Sequence, residues 1–313
     1  MIVTVFSGVV LGNMTRWSVW FDEAFSAYLA RFNIVEIAHF TSLDVPPPLY
    51  YWLLKGWTVL FGHSALAVRS LSLAFALVGL VGLYVVVRYI TKRSSYSLAA
   101  VTATALTPVF VRFSHEARMY TLVFAIVMWA TYVLLRAMKT NRRWLWVLYG
   151  VLLAAGMFTH YFVALAWLAH WAWRYREVCA GRVKKFFARE WVWCHVLAVS
   201  LFAVWLPTAV RQFATIQVGF WIPPITPQTP INYLTDMLFY REVAQMDGWW
   251  AIAAFIAFAV VGVVLYFGLR QFIRQSRRGG AALFVSLAIV PPILLTLLSM
   301  PPLSSSFIDR YVL

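Results

Sequence analysis

The sequence predicts an all-α protein that crosses a membrane many times, and two observations support that fold class. Of the 313 residues, 63% are hydrophobic and only 12% are charged, whereas a soluble domain is nearer half apolar and a quarter charged. Apolar runs of the roughly 20 residues that a transmembrane helix needs recur from one end of the chain to the other. A transmembrane β-barrel would instead show alternating segments of about ten residues.

The apolar runs divide the chain into about nine spans within a single transmembrane domain, residues 1–313. The first run is short, and the last residues resemble the start of a further span. We therefore expect the chain to be incomplete at both ends. The predicted spans are 1–14, 64–90, 97–112, 117–138, 144–159, 161–175, 191–212, 248–269 and 281–300.

The net charge of +15 does not indicate nucleic acid binding, because the basic residues follow a membrane topology. They concentrate in alternate loops, which the positive-inside rule assigns to the cytoplasm, and contact with anionic lipid explains their excess. These loops carry Arg88, Lys92, Arg93, Arg136, Lys139, Arg142, Arg143, Arg174, Arg176, Arg182, Lys184, Lys185, Arg189, Arg270, Arg274, Arg277 and Arg278. The acids predicted on the outer side are Asp22, Glu23, Glu36, Asp44, Glu116, Asp236, Glu242, Asp247 and Asp309.

Two long loops fall on the predicted outer side, at 15–63 and 213–247. In the first, the aromatic residues of "FDEAFSAYLARF" recur at helical spacing, which predicts an amphipathic helix on the membrane surface. A second helix is predicted in "PPPLYYWLLKGWTVLFG", with Pro48 in its first turn, Gly62 as its stop, and tyrosines and tryptophans that suit the headgroup zone. The prolines of the second loop indicate either an ordered cover over a substrate groove or a plain connector.

Asp22 and Glu23 lie where the first surface helix is predicted to start. One interpretation is an N-cap followed by a first-turn acid, which stabilises the helix through its unpaired N–H groups and its dipole. The other interpretation is a catalytic carboxylate at the membrane surface. The local sequence leaves both open.

The segment "FSHEARMYTL" places Glu116 and Arg118 at a short outer turn between two spans. Residues two apart on a helix do not face each other, so each side chain is expected to have a partner elsewhere. Ionisable groups at this depth are functional candidates. His160 and Tyr161, in "FTHYFVAL", occupy the next outer turn, where a purely structural histidine is an equally good interpretation.

Three cations lie near the outer ends of predicted spans: Lys55, Arg69 and Arg310. Each could extend its charge to lipid headgroups, but the outer side should be poor in basic residues. Carboxylates can accept a proton from a hydroxyl, and arginines bind phosphate through two parallel hydrogen bonds. The outer acids and cations together indicate a reaction between a lipid phosphate and a hydroxyl.

Four motifs in this order, "WFDEAFSAYLA", "PPPLYYWLLKGWTVLFGHSALAVRSLSL", "HEARMY" and "THYF", resemble the bacterial GT-C glycosyltransferases. These are relatives of the protein O-mannosyltransferases and of the lipid A aminoarabinose transferase. The resemblance covers about residues 16–165, with a weaker echo at "FIDRYVL". It implies a GT-C-like bundle that moves a hexose or pentose from a polyprenyl phosphate to a hydroxyl of a protein, glycan or lipid. Transfer would occur on the outer side of the plasma membrane, with inversion.

The resemblance also implies roles for individual residues. Asp22 matches the catalytic acid of the family's D-E motif and would take the acceptor's proton, while Glu23 would orient it or bind the acceptor. Glu116 resembles a second acidic position, and Arg118 would neutralise the departing phosphate. Weaker candidates for donor contacts are Lys55, Arg69, His160, Tyr161 and Arg310.

Two departures from the family pattern stand out. Pro46 occupies a place where family members often have His or Lys, which removes a phosphate or metal contact, and the family's further spans after "RY" are expected to be missing. No ligand cluster stands out, so we expect no metal and no other cofactor, with a divalent metal left open. The main alternative is a carrier or flippase for lipid-linked sugars, which should show broken helices or internal repeats. A non-catalytic scaffold is the other alternative.

Overall fold

The computed structural model describes residues 2–16, 18–218, 225–226, 229, 266, 270–272, 274 and 279–300. Within these ranges the regular secondary structure is helical, which confirms the predicted all-α class. The predicted span 248–269 and most of the loop 213–247 lie outside them. The helices are α1 (Ile2–Met14), α2 (Phe21–Leu29), α3 (Ile34–Leu43), α4 (Leu49–Phe61), α5 (Ala65–Thr91), α6 (Ser94–Leu106), α7 (Pro108–His115), α8 (Tyr120–Thr140), α9 (Arg143–Thr159), α10 (Val163–Cys179), α11 (Arg189–Phe202), α12 (Leu206–Val218) and α13 (Gly280–Leu298).

Helices α5, α8 and α13 are each long and apolar enough to cross a membrane. Two bent pairs, α6 with α7 and α11 with α12, raise the number to five if each pair forms one span. The chain is therefore a multi-pass membrane protein. By helix length and composition, the described residues support three to five membrane spans, whereas the sequence predicts nine over the whole chain. Helix α9, with 17 residues, rises only about 25 Å, which is short of a hydrocarbon core of about 30 Å.

Two predicted spans are broken helices. The span predicted at 97–112 is α6 followed by α7 with a bend of 68°, and the span predicted at 191–212 is α11 followed by α12 with a bend of 76°. Pro108 opens α7, and a proline ring pushes the preceding residue out of the helical region, so Thr107 is extended at φ −68° and ψ 123°. Pro207 stands in the first turn of α12. Hydropathy does not register these breaks because both halves of each pair are apolar.

The first loop, 15–63, contains three short helices, one more than predicted. The unexpected helix is α3, which begins with a capping box: Asn33 accepts from the Glu36 N–H, and Glu36 accepts from the Asn33 N–H, both at 2.9 Å. Helix α4 stops at Gly62, as predicted, with a positive φ of 83° that suits glycine. Pro48 is the N-cap of α4 rather than a residue of its first turn.

Helix α4 directs its tyrosines inward. Tyr50 and Tyr51 are fully buried, so their predicted place in the headgroup zone is wrong. The Tyr50 hydroxyl lies 3.1 Å from Ser72 Oγ on α5, and Trp57 Nε1 donates to the Ala67 carbonyl at 3.0 Å. These contacts fix the first loop against the start of α5.

Close helix contacts and a buried polar cluster around His170 help to hold the bundle together. A Cβ added to Gly150 on α9 would lie 2.6 Å from the Cys194 carbonyl oxygen on α11, so only glycine permits this approach. His170 on α10 is fully buried, and its two ring nitrogens lie 3.0 Å from Thr131 Oγ1 on α8 and from the Tyr149 hydroxyl on α9. Both contacts fix the helices whose ends carry the candidate site.

Candidate active site

Glu23 and Arg69 form a buried ion pair where α2 meets α5. Arg69 donates from Nε and Nη2 to the two carboxylate oxygens at 2.8 and 2.7 Å, and the two side chains are only 4% and 2% exposed. This geometry is the two-pronged pairing that arginine makes with carboxylates. Arg69 therefore does not extend to lipid headgroups.

The same ion pair joins four segments of the chain. Glu23 Oε1 also accepts from the backbone N–H of Ala117, in the turn before α8, at 2.9 Å. Arg69 also donates to the carbonyls of Met14, at the end of α1, and Ser18, just before α2. Glu23 is thus a positioning residue that fixes the start of α2 against the turn at 116–119.

Asp22 is the more accessible of the two adjacent acids, with 27% of its side chain exposed against 2% for Glu23. Both lie in the first turn of α2, as one interpretation of the sequence expected, but the N-cap is Trp20. The interpretation of Asp22 as the N-cap is therefore wrong. Its Oδ2 lies 3.6 Å from Nη2 of Arg118.

Arg118 lies between Asp22 and two tyrosines. Its Nη1 donates to the Tyr51 hydroxyl at 3.4 Å, and its guanidinium carbon lies 6.0 Å from the centroid of the Tyr120 ring. Its Nε is buried and makes no hydrogen bond within the described ranges. A guanidinium with an unused donor beside an accessible acid can bind an additional anion.

Glu116 pairs with Arg112, one helical turn earlier, and not with Arg118. Arg112 Nε donates to Glu116 Oε1 at 2.6 Å, while Oε2 is buried without a hydrogen-bond partner in the part of the chain that the structure describes. Burial raises the pKa of the Glu116 carboxyl, and the charge and hydrogen bond of Arg112 oppose that shift. The prediction that Glu116 and Arg118 have separate partners is confirmed.

His160 and Tyr161 belong to two networks beside this centre. The His160 ring lies 6.2 Å from the ring of Tyr120, which in turn faces Arg118. The Tyr161 hydroxyl accepts from Trp205 Nε1 at 2.9 Å and donates to the Gln212 side chain. Burial raises the pKa of Tyr161 to about 12.

The remaining two predicted donor contacts are Lys55 and Arg310. Lys55 is half-buried on α4, one turn beyond Tyr51, and its Nζ donates to the Arg31 carbonyl at 3.4 Å. Arg310 lies outside the described residues.

Three residues of this region were missed by the sequence analysis. Arg112 could have been recognised from its four-residue spacing to Glu116, which places both on one helix face. Tyr51 was assigned to the membrane surface because aromatic residues are common there. Gln212 donates to the Thr41 carbonyl at 2.7 Å and so joins α12 to the first loop, and no local pattern signals it.

Within the described ranges, no group of three or more His, Cys, Asp or Glu side chains is placed to hold a metal ion. The expectation of no cofactor stays a prediction. A cavity of about 360 Å³ lies away from this centre, between α9 and α11.

The fold and the cluster of acids and arginines define a multi-pass membrane protein with a candidate catalytic centre at one end of its helix bundle. The family model described as dolichyl-phosphate-mannose-protein mannosyltransferase matches residues 45–209, more than half of the chain. The chain belongs to this family, which confirms the resemblance carried by the motifs. No curated protein and no solved structure matches the chain.

Family membership implies a glycosyltransferase of the GT-C type, with a lipid-linked sugar donor and an acceptor in general terms. The matched residues include Glu116 and Arg118 but begin after Asp22 and Glu23. The roles of the two acids in the first loop therefore rest on the D-E motif and on the contacts described above.

Proposed function

We propose that the chain transfers a sugar from a polyprenyl-phosphate donor to a hydroxyl of a protein, glycan or lipid, with inversion, on the outer face of the plasma membrane. The observation that carries this proposal is the pairing of an accessible carboxylate, Asp22, with Arg118 at 3.6 Å. It lies at the end of the bundle that the charge pattern predicts to face outward.

In this reaction the acceptor oxygen bonds to the anomeric carbon, and the bond from that carbon to the phosphate oxygen breaks. Asp22 takes the proton of the attacking hydroxyl. The phosphate leaves with the bonding electron pair and so gains negative charge, which Arg118 neutralises. A cation placed in advance lowers the barrier most where that charge develops.

The 3.6 Å contact also suggests how donor binding prepares the base. An inverting displacement needs the base and the leaving phosphate on opposite faces of the sugar. We propose that the donor phosphate draws Arg118 toward itself, so that the exposed side of the Asp22 carboxylate can accept the proton of the acceptor hydroxyl. The unused Nε of Arg118 supports this proposal because it offers a donor for the arriving phosphate.

The other predicted residues take supporting roles in the proposal. Glu23, held by Arg69, orients Asp22 and does not itself touch substrate. Glu116 directs its unpartnered oxygen to a hydroxyl of the donor or the acceptor. Donor contacts from Lys55, His160, Tyr161 and Arg310 remain part of the proposal.

One observation favours the alternative, a carrier or flippase for lipid-linked sugars. The two bent pairs, α6–α7 and α11–α12, are broken helices of the kind that transporters use near their binding sites. The bend between α6 and α7 has a second explanation, however, because it places Glu116 at the end of α7 close to the start of α8. An assay that distinguishes sugar transfer to an acceptor from movement of the lipid-linked sugar across the membrane decides between the two functions.

The test compares the purified wild-type chain with Asp22→Asn and with Glu36→Gln, which changes an exposed acid of the same loop. Each protein is supplied with a set of polyprenyl-phosphate sugars and a membrane extract, and sugar transfer and donor binding are both measured. We expect Asp22→Asn to lose about 10²–10⁴-fold in turnover while it still binds donor, and Glu36→Gln to match wild type.

Two results would overturn parts of the proposal. Full turnover by Asp22→Asn would show that Asp22 is not the catalytic base, and the proposal that the chain is a glycosyltransferase would stand. Donor lipid that crosses vesicle membranes without any transfer, in the wild type, would favour the carrier.

A further inference from the structure

The cavity between α9 and α11 has a lining that the proposed reaction does not use. It measures about 360 Å³ and lies at the ends where both helices begin. Its lining includes Arg143, Arg189, Glu190, Trp193, Val147 and Leu197. Helix α9 ends at the candidate active site and rises about 25 Å from there to the cavity, so this is a separate place on the molecule.

The packing of the two helices creates the cavity. They touch at Gly150, where an added Cβ would meet the Cys194 carbonyl oxygen at 2.6 Å and Leu197 Cδ2 at 3.2 Å. From this contact toward the helix starts the cavity is lined by both helices and reaches Arg143 and Arg189 in their first turns. Leu197 therefore closes the inner end of the cavity, and charged side chains surround its mouth.

The charges at the mouth have no partners in the described residues. Arg143 and Arg189 are exposed and make no ion pair or side-chain hydrogen bond within those ranges, and Glu190 makes none either. Neither helix has a side-chain cap at its start, so first-turn N–H groups also point toward this end. Two guanidinium groups with one carboxylate complement a ligand that carries a phosphate and an ammonium.

The inner part of the cavity is apolar and continues onto a surface suited to acyl chains. Val147 is 53% exposed and Trp193 is 61% exposed, although both lie on helices of the bundle. A tryptophan at the mouth suits the boundary between headgroups and hydrocarbon. A free phosphate or a soluble nucleotide would leave this apolar part unused.

We propose that this cavity binds a phospholipid with an ethanolamine headgroup. Arg143 and Arg189 hold the phosphate, Glu190 accepts hydrogen bonds from the ammonium, and one acyl chain lies along Val147 and Leu197. The site needs none of the residues assigned to sugar transfer. Its mouth is at the basic end of the bundle, which the charge pattern predicts to face the cytoplasm.

The test measures lipid binding to the purified chain in detergent by native mass spectrometry. The probes are phosphatidylethanolamine, phosphatidylcholine, phosphatidylglycerol and inorganic phosphate, each titrated separately. Arg143→Ala and Arg189→Ala should each weaken phosphatidylethanolamine binding about tenfold, because each removes a charge-assisted hydrogen bond. Glu190→Gln should abolish the preference for ethanolamine over choline, since only the ethanolamine ammonium donates hydrogen bonds.

The control is the double variant Lys184→Ala with Lys185→Ala, which removes two exposed charges from the same end of the bundle without touching the cavity lining. It should bind like wild type. If the control variant weakened phosphatidylethanolamine binding as much as Arg143→Ala and Arg189→Ala do, general electrostatic attraction would explain the effect and the proposed site would be overturned. Phosphatidylglycerol bound as tightly as phosphatidylethanolamine would overturn the headgroup assignment. Binding of inorganic phosphate alone, with no lipid retained, would overturn the lipid assignment.

Discussion

Removing one partner of the Glu23–Arg69 pair should destabilise the fold far more than its single charge suggests. Glu23→Gln keeps the shape of the side chain but leaves the Arg69 guanidinium buried without its counter-charge. Arg69→Met leaves the Glu23 carboxylate with the N–H of Ala117 as its remaining hydrogen-bond donor among those described here. Breaking a buried ion pair in this way costs about 3–5 kcal/mol.

The structure also sets the expected coupling between the two changes. Arg69 makes two hydrogen bonds to Glu23, at 2.8 and 2.7 Å. Arg69→Met loses both, and Glu23→Gln keeps at most the one that its amide oxygen can accept. The double variant removes both charges together and leaves neither buried alone. Its loss should therefore be well below the sum of the two single losses, by about 3 kcal/mol.

The assay is reversible unfolding in mixed detergent, followed by the fluorescence of the 16 tryptophans. Glu36→Gln is the matched control, because Glu36 is exposed and glutamine also serves in a capping box. It should change the free energy of unfolding by less than about 0.5 kcal/mol. Losses in the single variants that simply add in the double variant would refute the ion pair as the element that holds the first loop.

Three further predictions follow from the same contacts. Because burial raises the folded-state pKa of Glu116, the folded chain holds that proton more tightly than the unfolded chain does. The free energy of unfolding should therefore fall as the pH rises from the ordinary glutamate pKa through the raised pKa of the folded state. Glu116→Gln should flatten the pH dependence of the free energy of unfolding in this window. Pro108→Ala should straighten the junction of α6 with α7, displace Glu116 and lower turnover about 10²-fold in the transfer assay. Gly150→Ala should cost about 1–3 kcal/mol in thermal unfolding, because its methyl would meet the Cys194 carbonyl. Gly12→Ala, within α1 and with nothing within 4 Å, should cause no loss, because alanine favours a helix over glycine.

Hydrophobic pattern was sufficient to locate the long helices. Helices α5 and α8 begin and end within a few residues of the predicted spans 64–90 and 117–138. Pattern was insufficient at prolines, because the bend before Pro108 depends on backbone sterics that hydropathy does not include. A run of apolar residues predicts burial in lipid but not the direction or length of the helix that carries it, so the number of spans stays a prediction.

The sequence predicted which residues belong to the candidate site better than it predicted which of them contact one another. Helix geometry alone indicated that Glu116 and Arg118 would not pair, and the structure agrees. The sequence did not show that Glu23 is buried while its neighbour Asp22 is accessible. That difference depends on Arg69, 46 residues away, which tertiary packing alone brings to Glu23.

The separation of these partners along the chain has a consequence for biosynthesis. A ribosome adds about 5–20 residues each second, so the 94 residues between Glu23 and Ala117 correspond to about 5–20 s of synthesis. During that interval the carboxylate of Glu23 lacks one of its hydrogen-bond donors, and during the first half it also lacks Arg69. The centre is thus completed late, once the start of α8 has been made, and a nascent chain that stops before Arg69 leaves Glu23 without its partner.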